Sequence, residues 1–153
     1  MTDNTGVVVL AEHECWTLLR STEVGRLAVC ADAAPDIFPI NFVVDHGTIV
    51  FRTADGSKLS AAVATPSVAF EVDGYDPAAD EAWSVVIKGR AQEIKQLHER
   101  IESMDLPLFP WHAAPKGHFV RIEPGAISGR RFQVVDRTAW ITPTTGVSPA
   151  PPE

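Results

Sequence analysis

Between Ile40 and Phe51 the chain reads INFVVDHGTIVF, and few architectures accommodate such a segment. Two runs rich in β-branched and aromatic residues flank DHG, and a three-residue loop ending in glycine between such runs predicts a β-hairpin, because Gly47 can take the left-handed conformation. Neither run alternates apolar and polar residues as a strand with one wet face would. Both faces of the hairpin must therefore be covered, by other parts of the chain or by a second copy of it, and the pattern predicts a homodimer.

The rest of the chain supplies more short strands than helices. Residues 10–20, LAEHECWTLLR, place Leu10, Trp16 and Leu19 at helical intervals with Glu12 and Glu14 near the start, where carboxylates suit the positive end of a helix. RLAVC (26–30), a second strand through Val44, TIVFRT (48–53) and VAFEVD (68–73) read as strands. GYDPAADEA (74–82) is a loop by composition, and WSVVIKGRAQEI (83–94) is the longest strand, with a bulge or bend expected at Gly89. HFVRIEP (118–124) and ISGRRF (127–132) read as two further strand pieces. Helices are expected after Ser57, which stands at a capping position before KLSAAVA, and over KQLHERIESM (95–104). LPLFPWHAAPKG (106–117), with three prolines, is an ordered irregular connection. Six or seven short strands joined locally, with few helices, predict a mainly β protein: an antiparallel barrel with short flanking helices. The expected organisation is a flexible N-terminus over 1–9, one domain over 10–141 and a disordered, proline-rich tail over 142–153.

With 153 residues, 45% of them hydrophobic, the chain can bury a substantial core. Its formal charge of −7, without a block of basic residues, argues against nucleic acid and anionic lipid as partners. The apolar runs fall far short of the roughly 20 residues that span a bilayer. The N-terminal MTDNTG has no basic segment of the kind that begins a secretory signal, and Cys15 and Cys30 lack CxxC spacing. A reducing cytoplasm without a disulfide framework is the expected setting.

The end of the hairpin raises a chemical question. Arg52, Thr53, Ser57 and Lys58 gather within seven residues, where a strand ends and a helix begins. Hydroxyl donors, two cations and the unpaired N–H groups of a first helical turn make a site of phosphate size. The same pattern also describes a turn, a helix cap and two solvated bases. Other groupings offer less. His98, Glu99, His112 and His118 are spread over three segments without metal-ligand spacing, and no metal is expected. His13, Glu14 and Cys15 diverge on a helix, so Cys15 is expected to be packed. Trp111, beside His112, is placed either to stack on a planar ligand or to plug the barrel end.

GRLAV (25–29), PINFVVD with IVFRT and GSKL (39–59), and the SVVIKGRA strand (84–91), in that order and spacing, resemble the flavin-binding split barrel of the pyridoxamine 5′-phosphate oxidase-like superfamily, in the small branch that includes nitroimidazole-resistance-type flavoproteins. The likeness runs from about Leu10 to Phe132. It implies an FMN-binding oxidoreductase and a homodimer with the cofactor at the subunit interface. Ile40, Asn41, Phe42 and Val43 would lie along the isoalloxazine, largely through backbone groups, while Arg52, Thr53, Ser57 and Lys58 would hold the phosphate. Ser84 would contribute from the partner subunit, and for Trp111 both readings stand beside the resemblance, closure over a flavin or a plug at the barrel end. Members that oxidise pyridoxamine phosphate carry Gln at the position of Ser84 and a basic run in the first hairpin strand, so the expected substrate is another small planar molecule. Arg130 and Arg131 are further candidates for substrate contact. F420 in place of FMN on the same fold, or a flavin or haem carrier without catalysis, are the alternatives.

Overall fold

The computed structural model describes residues 6–31, 33–53, 67–95 and 118–134. In chain order these form β1 (Val7–Val9), α1 (Glu12–Arg20), β2 (Val24–Ala31), β3 (Ala34–Asn41), β4 (Val43–Asp45), β5 (Thr48–Thr53), β6 (Val68–Asp76), β7 (Glu81–Glu93) and β8 (His118–Gln133). Val7–Val9, expected to belong to a flexible start, pair with Arg130–Phe132 of β8. The helices expected after Ser57 and over 95–104, the connection that holds Trp111 and the proline-rich tail lie outside the described residues, apart from Lys95.

The hairpin is tighter than its sequence suggests. Asp45 still pairs with Thr48, so the loop is His46-Gly47 alone, with φ of 48° and 71°. Two positive φ values in succession belong to a type I′ turn, whose twist matches the strands it joins. Arg121 of β8 braces it, donating through Nη1 to Asp45 Oδ2 at 3.0 Å and to Thr48 Oγ1 at 2.6 Å.

All strand pairs are antiparallel, in the order β3-β2-β6-β7-β8-β5-β4, with β1 beside β8. The first and last members of this series are consecutive in the chain and separated by Phe42 alone. One bent strand therefore begins and ends the sheet, which curls into a split β-barrel. At the bend the Phe42 N–H donates to Glu23 O at 3.1 Å.

Of two expectations about the long strands, one is corrected and the other, an irregularity at Gly89, is met. The segments 118–124 and 127–132 form one strand, β8, paired with β7 along its length. The register changes from Lys88↔Ala126 to Gly89↔Pro124, so the extra residue of the bulge is Gly125, across the ladder from the glycine that the sequence singles out. At Gly89 the backbones approach closely: a Cβ there would lie 2.1 Å from Glu123 O. Pro124 is tolerated because, among the described residues, β8 pairs with β5 only through Ile122 and with β1 only from Arg130. The loop expected over 74–82 is shorter as well, since Asp76 pairs with Glu81. Asp76 Oδ1 closes it by accepting from the N–H groups of Ala78 and Ala79.

Leu27, Phe51, Phe70, Ile87 and Ile122 fill the barrel and are at most 1% exposed. A second apolar cluster, Val50, Ile94 and Phe119 with Val43, lies on the outer face of β4, β5 and β8. The unbroken apolar run in β5 thus has both faces covered within one chain. Helix α1 docks on β8: Leu10 N–H donates to Gly129 O at 2.9 Å, and a Cβ on Gly129 would meet Cys15 Sγ at 2.6 Å and Leu10 Cδ1 at 3.1 Å. Leu10 precedes the helix and Cys15 ends its first turn, the arrangement of a hydrophobic staple. Glu14 Oε2 accepts from the Ala11 N–H at 3.0 Å. Burial, and next the Glu14 charge, push the Cys15 thiol above its ordinary range. No helix of the described residues is long and apolar enough to cross a membrane.

Candidate functional site

Strand alternation sorts Ile40 to Val43. Ile40 and Phe42 point into the barrel, 7% and 4% exposed, and the Phe42 ring meets Phe70 edge to face at 4.8 Å. Asn41 and Val43 lie on the outer face, where Val43 packs against the second cluster. What the segment offers beyond its own core is mainly backbone. β3 and β4 end the strand series, so each has a strand partner on one edge only among the described residues.

Across the split stands the end of β5. The β4–β5 register, Val43↔Val50 to Asp45↔Thr48, would if continued bring Asn41 opposite Arg52 and Ile40 opposite Thr53. Instead Asn41 pairs with Val24 of β2. The strands part there, with the Ile40–Val43 backbone on one bank and Arg52 and Thr53 on the other. Arg52 and Thr53 do not act side by side, because consecutive residues of a strand face opposite ways. Thr53 is buried at 4% exposure, on the side of the barrel interior. The Arg52 guanidinium lies on the outer face, 5.0 Å from the centre of the Phe119 ring. Ser57, Lys58 and Trp111 lie outside the described residues.

Ser84 sits half-buried on the outer face of β7, between Asp73 and Arg130. β2 and β6 intervene between it and β3, three strand spacings or about 14 Å. Within one chain Ser84 is therefore remote from the split. Its row belongs to an outer face of small residues, with Ala28, Ala69, Ala126 and Ser128 in register nearby. Arg26 on that face bonds both Glu71 and Asp73 at 3.1 Å. The Glu71 carboxyl is pushed above its ordinary range by partial burial, and then by its hydrogen bond to Asp73 and that residue's charge, which Arg26 opposes. Arg131, the other candidate arginine, lies 3.9 Å from Glu81.

One pair near the site has no motif to announce it. His118 is the cross-strand partner of Thr53, and its Nδ1 lies 2.6 Å from Glu93 Oε1, each side chain 32% exposed. The sequence shows His118 only as a poor metal candidate. Its real neighbours come from strand register, which 25 residues of separation conceal. Among the described residues no three His, Cys, Asp or Glu side chains gather as a metal site.

A curled antiparallel sheet parted at one bent strand, with a buried hydroxyl across the parting, defines a split-barrel protein. The chain belongs to the pyridoxamine 5′-phosphate oxidase family, whose profile matches residues 11–131. It is similar to the FAD binding protein from Mycobacterium smegmatis, with 39% identity, 82% of this chain and 98% of that one covered, and a TM-score of 0.72. A FAD-binding protein from Mesorhizobium loti shares 26% identity over 82% of this chain and 97% of its own, with a TM-score of 0.70. The Mycobacterium tuberculosis protein Rv0080 is 34% identical over 137 residues, 86% of this chain and 90% of its own.

Proposed function

We propose that this chain is a flavin-nucleotide-binding oxidoreductase that works as a homodimer on a small planar substrate other than pyridoxamine phosphate. The observation that carries the proposal is the split itself, where the strand passes from β2 at Ile40 and Asn41 to β5 at Val43, with the Arg52–Thr53 end of β5 across the parting. An isoalloxazine presents a row of hydrogen-bonding atoms on one long edge, and a strand that leaves its neighbour presents backbone N–H and C=O groups of the same kind. Thr53, with Ser57 and Lys58 following in sequence as hydroxyl and cation, would hold the flavin's phosphate. FMN is the cofactor expected from the sequence, and the two relatives named for FAD binding extend the proposal to FAD.

A bound flavin supplies electron or hydride transfer, and the protein supplies orientation and anchoring. The Phe42 N–H is taken up by Glu23 O and Val43 is laddered to Val50, so the backbone at Ile40 and Asn41 is what would line the ring edge. Ile40 and Phe42, held inside the barrel, keep that edge rigid. Thr53 would supply a hydroxyl at the phosphate end. Dimerisation is supported by the distance of Ser84 from the split within one chain, which a partner subunit removes. Val9, Ile37, Tyr75 and Phe132, between 39% and 66% exposed, leave apolar surface for that contact.

The test is identification of the chromophore that co-purifies with the full chain, followed by titration of the apoprotein with FMN, FAD and riboflavin. Lys58→Ala is expected to weaken FMN by about 1.5–3 kcal/mol, the worth of a charge-assisted hydrogen bond, and to leave riboflavin unaffected. A protein that binds none of the three flavins sinks the proposal. Light scattering that gives the mass of one chain at micromolar concentration removes the dimer.

A further inference from the structure

We infer that the His118–Glu93 pair is a charge-regulated element of the phosphate end of the site, which strengthens the hold on an anionic flavin when the imidazole is protonated. The inference rests on the flavin reading of the split. Its own basis is the placement of two titratable side chains. His118 stands directly across the β5–β8 ladder from Thr53, where paired Cα atoms are about 5 Å apart. Both residues belong to the interior-facing row that continues from Phe51 and Val120. Glu93 reaches the same place from β7, its Oε1 2.6 Å from His118 Nδ1.

The sign follows from counting charge. With a neutral imidazole the pair carries one negative charge beside Thr53, and an anion held there is repelled. With an imidazolium the pair is neutral, and the repulsion is gone. Partial burial of both side chains, each 32% exposed, keeps solvent from screening the difference completely. Of the charged residues nearest in sequence, Arg52 lies on the opposite face over Phe119, and Lys95 is exposed beyond the end of β7. A histidine that merely tied β7 to β8 would serve equally well with a charge-neutral partner. A carboxylate next to an anion site is costly unless its charge is offset, and a protonated imidazole bonded to Glu93 offsets it.

The experiment measures the Kd of FAD and of riboflavin for the full-length apoprotein between pH 5.5 and 8.5. FAD is the chosen probe because its diphosphate keeps its charge over this range, whereas the FMN monoester titrates near pH 6. FAD binding to the wild type is expected to tighten about three- to tenfold on acidification, with riboflavin unchanged. His118→Gln, whose pair stays negative, is expected to lose the acid tightening. Glu93→Gln, with the negative charge removed, is expected to bind FAD more tightly than the wild type at pH 8.5. A purely structural pair gives no such gain, since both substitutions would then weaken binding at every pH. A flat wild-type profile for FAD overturns the inference without any variant, as does an acid tightening that survives in a folded His118→Gln. Failure to bind any flavin refutes the reading beneath it, whereas flavin binding without these pH effects refutes the regulation alone.

Discussion

Arg52 and Thr53 adjoin in sequence and share no face of the sheet: Thr53 is buried toward the barrel interior, while the Arg52 guanidinium lies 5.0 Å from the Phe119 ring on the outside. The arginine thus packs against the second apolar cluster, and its cation–π contact is measurable apart from any ligand. A double-mutant cycle with Arg52→Ala and Phe119→Leu, read by urea unfolding, is expected to give a coupling of about 0.5–1 kcal/mol. Additive effects would remove the contact from the energetics of the fold.

Gly89 and Gly125 face each other across the register change in the β7–β8 ladder, yet they differ in what they tolerate. A Cβ on Gly89 would lie 2.1 Å from a backbone oxygen, whereas one on Gly125 meets nothing nearer than 3.4 Å. Gly89→Ala forces two strands apart and is expected to cost about 1–3 kcal/mol. Gly125→Ala is expected to remain within about 0.5 kcal/mol of the wild type. Chemical denaturation of both variants checks the contrast.

The barrel is legible in the sequence because its strands are local, β-branched and bounded by turn residues. INFVVDHGTIVF announces both the hairpin and the double coverage of its faces, and the second cluster around Val50 and Phe119 supplies part of that cover. Element ends are less legible. Asp45 and Asp76 look like loop residues but continue their ladders, because the type I′ turn and the aspartate-capped loop are shorter than composition suggests. The break expected at Pro124-Gly125 is absorbed as a bulge within one strand, an outcome that depends on which edges of β8 are paired. At the candidate site, adjacency in sequence suggests that Arg52 and Thr53 converge, and alternation separates them. The proximity of His118 to Thr53 and Glu93 depends on register between distant segments, for which a single sequence has no local sign.

The carboxylates around Arg26 make a prediction about pH. The carboxyl of Glu71 is held above its ordinary value of 4.5 in the folded state, chiefly by desolvation and then by Asp73. A raised carboxyl binds its proton more tightly when folded than when unfolded, so its contribution is fully present below the unfolded pKa and is lost as pH rises through the folded one. The wild type is therefore expected to lose stability relative to Glu71→Gln as pH rises from about 4 toward neutrality. Urea midpoints of both proteins across that range test the sign. A difference that does not change with pH, or that grows in the other direction, contradicts it.

The two cysteines are expected to differ in reactivity by orders of magnitude. Cys15 is 1% exposed, wedged over Gly129, and its thiol is pushed upward by burial and by Glu14, whereas Cys30 is exposed. Thiolate fraction and access together set alkylation rates. Iodoacetamide at neutral pH, followed by peptide mass spectrometry, should modify Cys30 in the native protein and reach Cys15 only in denaturant.

Phe42 occupies the single position between the two halves of the bent strand, and its ring is 4% exposed against Phe70. Phe70 in turn fits beneath Gly25, where a Cβ would lie 2.3 Å from its ring. Glycine in β2, the Phe70 ring and the Phe42 ring thus form a stack that sets how far the strand bends as it leaves β2 for β5. Phe42→Ala removes the last member and is expected to cost about 3–5 kcal/mol, the usual range for a buried aromatic. Phe42→Leu retains most of the volume and should cost less. If the bent strand at Ile40 to Val43 carries the flavin ring, folded Phe42→Leu also binds riboflavin more weakly, because the bend that presents the edge is less firmly held. Riboflavin affinity equal to that of the wild type would show that the stack sets stability and leaves the presentation of the edge untouched.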